Sequence, residues 1–175
     1  MKVSVTWRDI AYGALALVVP TILVAVTTAV FFADAARDAL PPLAQHSGDL
    51  DDARWIFLNN ARIAFGMCVV AYLLSSWWDS RRSALRLTAR LLASYVLAVV
   101  LASAWTIGRA VGAYPHEILT GVLGHVVLEV AAFATAIGVT LRATRQPAPT
   151  ASSIAATGLL VGALLVPAAL LEVYA

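Results

Sequence analysis

His125 and Glu129 are the residues of this sequence best placed to do chemistry. They stand four apart in the stretch Gly121-Val122-Leu123-Gly124-His125-Val126-Val127-Leu128-Glu129, so on a helix they share a face one turn apart. An imidazole beside a carboxyl is a ready acid–base pair. The surrounding apolar run, Ile118 to Leu141, is long enough to cross a bilayer. At about 1.5 Å per residue, Glu129 lies roughly 16 Å from either end, near the membrane midplane. An ionisable residue at that depth is costly, so an interior-facing or functional role is the default expectation.

Three roles for Glu129 follow. Protonated, it would donate a hydrogen bond between helices as a structural contact. Paired with Arg62 or a protonated His125, it would form the charged centre of a partner or ligand site. Together with His125 it would transfer protons in a catalytic site, with His125 and Glu129 as the catalytic residues. A metal site is not expected. His and Glu at this spacing give two ligands from one helix, and a site needs a third. The sequence has no HExxH, no CxxC and no second intramembrane histidine, since His46 and His116 fall in or beside outer loops. No cofactor is expected either. There is no P-loop, dinucleotide fingerprint or G-x-S-x-G elbow, which disfavours an ATPase, a dehydrogenase or a serine hydrolase.

These residues must be positioned by helices, because the composition leaves little else. The chain has 175 residues, 61% hydrophobic and 13% charged, with a mean hydropathy of +0.85. Soluble domains carry about 25% charged residues, so this is a membrane-class composition. Cys68 is the single cysteine, which excludes an intramolecular disulfide. The basic balance does not point to nucleic acid, because the arginines gather at the ends of apolar runs.

Five apolar segments stand out, near residues 10–32, 57–78, 88–108, 118–141 and 154–174. Runs of this length satisfy their own backbone hydrogen bonds only as helices. The expected fold is an all-α integral membrane bundle of about five transmembrane helices forming a single domain, with an extracytoplasmic loop over 33–56. The first run resembles a signal peptide in its Lys2 and Arg8 start and its Ala33-Asp34-Ala35 end. Its apolar length exceeds a signal core of roughly 7–15 residues, so a retained helix, kinked at Pro20, is expected.

Flanking charge orients the bundle. Lys2 and Arg8, then Arg81, Arg82, Arg86 and Arg90, then Arg142 and Arg145, all fall on one side of a five-helix path. The other side holds Arg37, Arg54 and Arg109 with Asp34, Asp38, Asp49, Asp51 and Asp52. The N-terminus is therefore expected in the cytoplasm and the C-terminus outside, in a multi-pass protein of the plasma (bacterial inner) membrane. This topology gathers the polar residues in the outer half of the bundle. Asn59 and Asn60 open the second helix, with Arg62 about 8 Å in and His125 about 10 Å below the outer surface. Arg109, the His116-Glu117 pair, Glu172 and Tyr174 lie at that same boundary. An outward-opening cluster of Asn59, Asn60, Arg62, Arg109 and Glu172 around His125 and Glu129 is the candidate binding site. The bland alternative for Asn59, Asn60 and Arg62 is that they cap and anchor their helix. Trp55, Trp77, Trp78, Tyr72, Tyr114 and Tyr174 lie near the segment ends, where aromatic belts belong.

Small residues mark possible close approaches: Ala104, Gly108 and Gly112; Ala134 and Gly138; Gly158 and Gly162. Pro147 and Pro149 mark a short connection before the last helix.

The order Phe57-Leu58-Asn59-Asn60-Ala61-Arg62, then His125-x-x-x-Glu129, then Ala168-Ala169-Leu170-Leu171-Glu172-Val173-Tyr174 resembles the stage II sporulation protein M family. That family's pattern reads asparagine-asparagine near a helix start, a Pro-His-Gly-x-x-Glu-like helix and a closing Glu-x-Tyr. Gly124 and Val126 replace its proline and glycine, and Trp77-Trp78-Asp79 stands where an asparagine-glycine step is expected. The resemblance implies a small polytopic bundle working in a protein complex, as the sporulation member does in scaffolding cell-wall hydrolases during engulfment.

The leading expectation is therefore a non-catalytic integral-membrane subunit that binds and positions one or more protein partners, with membrane lipid around it and a homo-oligomer compatible with its small-residue faces. The first alternative is an intramembrane, cofactor-independent acid–base enzyme or subunit, epimerising or hydrolysing a peptide or lipid-linked substrate. The second is a small transporter subunit, against which the lack of a clear internal repeat argues.

Overall fold

A computed structural model describes residues 5–39, 50–115, 123–145 and 148–174, and the described residues are all-helical with no strand. Helix α1 spans Trp7–Thr27, continues through a π-helical turn at Thr28–Phe32 and ends in α2, Ala33–Ala39. Then come α3 (Leu50–Trp77), α4 (Ser83–Ala113), α5 (Leu123–Ala143) and α6 (Ala151–Tyr174). Among the described residues, five helices are long and apolar enough to cross a membrane, α1 to α2 counting as one. Their outer surfaces are strongly apolar, with Leu23, Phe31, Leu91 and Leu159 among the exposed side chains. Such a surface is a liability in water and fits a multi-pass membrane protein.

The helices outrun their apolar cores at the end that holds the acidic residues. Residues 33–39 and 50–56, expected in a loop, are helical. In α2 the reason is local. Asp34 and Arg37 form an i,i+3 ion pair at 3.0 Å, and the Arg37 Nε donates to the Ala113 carbonyl at the end of α4, at 2.9 Å. In α3, Asp51 and Asp52 occupy the first turn, where the helix dipole favours negative charge. His46, His116 and Glu117 lie outside the described residues.

Four helices close a ring in the order α1, α4, α3, α5, and α6 packs into the cleft between α3 and α5. Helix α5 is the most enclosed, with every residue from Ala134 to Thr140 buried. Small residues permit this. A Cβ added to Gly138 would lie 2.7 Å from the Asp9 carbonyl carbon, and one added to Gly13 would lie 2.7 Å from the Gly138 nitrogen. The backbones of α1 and α5 therefore touch directly. Asp9 is buried at this crossing and accepts hydrogen bonds from the Thr6 backbone N–H and hydroxyl, both at 2.8 Å. Those bonds cap α1 and satisfy the carboxylate at once.

The stripe Ala104, Gly108 and Gly112 of α4 faces α1 in the same way. A Cβ on Gly108 would lie 2.7 Å from the Thr21 carbonyl oxygen, and one on Gly112 would lie 2.5 Å from that of Ala25. The π-helical turn begins at Thr28, which also packs on Gly112, and beyond it Ala36 is buried. Gly158 and Gly162 do not make a backbone crossing. Their open sides face the ring of Phe65 on α3, 3.8 Å and 3.3 Å from the positions of added Cβ atoms. The expected small-residue approach is there a seat for an aromatic side chain. Across α3 and α5, the Thr140 hydroxyl sits 3.1 Å from the Met67 carbonyl and 2.9 Å from that of Ala136.

Candidate functional site

Asn60 sits one turn into the apolar part of α3, and its Nδ2 donates a hydrogen bond to the Glu129 Oε1 of α5. Residues 69 apart in sequence are thus joined directly across two helices. Glu129 belongs to the wall of a chamber of about 490 Å³ at the centre of the four-helix ring. Asn59, Asn60, Ser103, Thr106 and Glu129 supply its polar groups, while Leu17, Ile63, Met67 and Phe133 are among its apolar ones. This mixture of apolar walls and a few convergent polar groups is typical of small-ligand sites.

Each polar group is held by its helix. Asn59 and Asn60 are consecutive on α3, yet both reach the chamber because they flank the helix face that points into the ring. Asn59 also accepts a long hydrogen bond from the Arg62 Nη2, at 3.4 Å. The Thr106 hydroxyl back-bonds to the Ala102 carbonyl at 3.0 Å, which satisfies its proton and leaves lone pairs available.

Of the residues singled out by sequence, Asn59, Asn60 and Glu129 come together around one space. His125 is buried one turn before Glu129 on α5, at 8% exposure. Glu172 of α6 lies within electrostatic reach of Glu129. Arg62 is exposed beside the chamber, and its described bond goes to Asn59 instead of Glu129. Arg109 lies over the ring of Trp105 on its own helix, 6.0 Å from the centroid. Depth alone had grouped it with the cluster, and its direction around α4 takes it elsewhere. Ser103 and Thr106 were missed. Two hydroxyls three apart in an otherwise apolar helix are a weak signal that one face of α4 is polar.

Beside the chamber, the seam between α3 and α4 holds a groove of about 450 Å³. Arg62, Gly66, Val70, Tyr95 and Val96 line it, and it shares Ile63, Met67 and Val99 with the chamber. Of the four contacts in the ring, α3 against α4 is the least extensive. A Cβ on Gly66 would meet nothing within 4 Å. The chamber is therefore flanked by an open lateral groove on one side and by close-packed helices on the others.

The Asn60–Glu129 bond orients the carboxyl at the chamber wall, and an interhelical hydrogen bond in a membrane returns about 0.6 kcal/mol on average.

No protein-family model matches the chain, and neither a curated protein nor a solved structure does.

Proposed function

We propose that this chain is an integral-membrane subunit of the stage II sporulation protein M type, which binds and positions a partner protein through a polar cluster in the outer half of its bundle. The observation that carries this reading is convergence. Three separated segments suggested the type, and Asn59-Asn60, His125-x-x-x-Glu129 and Glu172 come from them. Asn60 bonds Glu129, His125 is one turn away on the same helix, and Glu172 is within electrostatic reach.

The arginine distribution supports a cytoplasmic N-terminus and an outside C-terminus in the plasma membrane. Arg8, Arg81, Arg82, Arg86, Arg90, Arg142 and Arg145 all flank helix ends that this topology assigns to the cytoplasm. The partner then meets the cluster at the opposite, outer end, near the last turn of α6.

The test is capture from native membranes in mild detergent with tagged wild type and Glu129→Gln. Gln keeps the oxygen that accepts from Asn60 and removes the ionisable group, so the bundle stays intact. A specific partner held by wild type and lost from the variant is the expected result. A partner held equally by both would sink docking through Glu129.

A further inference from the structure

The α3–α4 seam arranges its side chains in a graded order. Moving along α3 toward its N-terminus, the groove is apolar at Val70 and Gly66, carries a cation at Arg62, and gives way to the chamber at Asn60 and Asn59. Ile63, Met67 and Val99 line both spaces, so they form one continuous surface. A molecule lying along it meets hydrocarbon first, then a guanidinium, then a carboxyl with hydrogen-bonding neighbours.

Each part selects a chemistry. Arg62 is exposed on a spanning helix, where an arginine is costly unless an anion meets it. Its planar fork matches a phosphate, and the anion that approaches a membrane helix from the side is a lipid phosphate. In the chamber, Glu129 presents a carboxyl, and the neighbouring Asn59, Ser103 and Thr106 carry oxygens that accept hydrogen bonds. That set complements a primary ammonium, which brings three donors and one positive charge. A hydroxylated head group lacks the charge, and a quaternary ammonium lacks the donors.

We propose that the α3–α4 seam binds one zwitterionic aminophospholipid, with an acyl chain in the groove beside Gly66, its phosphate on Arg62 and its primary ammonium on Glu129. The inference goes beyond partner docking and fails separately from it, because lipid retention is read on the isolated protein and partner capture in the native membrane.

The experiment uses full-length protein in detergent, incubated with an equimolar mixture of phosphatidylethanolamine, phosphatidylglycerol and phosphatidylcholine of identical acyl chains. Native mass spectrometry counts the lipids retained. Wild type should keep one phosphatidylethanolamine in about tenfold preference to either competitor, the ratio that one hydrogen bond to a charged group confers. Glu129→Gln should erase the preference, and Arg62→Gln should lower retention of all three lipids. Gly66→Leu should abolish retention without touching the fold, since its side chain projects into open groove. Equal retention of the three lipids by wild type would overturn the ammonium assignment. Undiminished phosphatidylethanolamine on a folded Gly66→Leu would overturn the groove.

Discussion

Helix α4 presents two unlike faces to its neighbours. Toward α1 it offers Ala104, Gly108 and Gly112, and the backbones close until an added methyl has no room. Toward α3 it offers Val96, Val99, Ser103 and Thr106, and the helices stand apart around a chamber and a groove. Both faces lie in one apolar helix, so hydrophobicity cannot be what distinguishes them. In lipid the driving force for association is close packing and interhelical hydrogen bonding, so small residues decide where helices meet and larger ones where they stay apart. The tight face gives the bundle its stability, and the loose face leaves space for a ligand.

Substitutions test that contrast most strongly at the tightest crossing. Gly138→Leu should push α5 off α1, because its Cβ would fall on the Asp9 backbone. Overpacking usually costs about 1–3 kcal/mol and here meets main chain, so a loss at or above the top of that range is expected in a detergent unfolding titration. Gly112→Ala should follow, with about 1–3 kcal/mol lost as its methyl meets the Ala25 carbonyl. A Gly112→Ala variant as stable as wild type would show that the α1–α4 contact yields easily and that the contrast is overstated.

Across the loose region the effects shrink. Asn60→Leu removes the donor to Glu129 and should cost about 0.6 kcal/mol, with roughly 1.7 kcal/mol as the ceiling seen for such bonds. Gly66→Leu should leave stability unchanged or raise it by up to about 1 kcal/mol through helix propensity. Smallest of all, Glu129→Gln should change the unfolding free energy by less than about 0.5 kcal/mol while abolishing partner capture, because Gln keeps the oxygen that accepts from Asn60. If Glu129→Gln unfolds the protein instead, the carboxyl is structural and the loose region is part of the core.

Much of the site was legible because helical spacing is a local property. The i,i+4 relation placed His125 and Glu129 on one face, and segment length placed Glu129 deep. Depth set Asn60 in the first turn of its helix at the outer boundary and Glu129 near the midplane, yet the two are hydrogen-bonded and so lie level. Arg109, grouped with them at that boundary, lies over Trp105. Depth is one coordinate, and direction around the helix axis is another that depends on the neighbours. Segment ends were misread for a related reason. Residues 33–39 and 50–56 are too polar to register as apolar runs, yet Asp34–Arg37 pairing and the Arg37 bond to Ala113 keep the first stretch helical.

The sequence by itself determined five helices long and apolar enough to cross a membrane, the small-residue stripes on α4 and α5, and a histidine and a glutamate one turn apart on one helix. These rest on composition and period along one chain. Only the tertiary structure decided that Gly108 and Gly112 meet α1, that Gly158 and Gly162 seat Phe65, and that Glu129 faces Asn60 across a chamber open beside α3 and α4. The physical reason is that apolar faces in lipid are nearly equivalent in energy. Which of them touch is settled by the fit of whole helices, and no single helix carries that information.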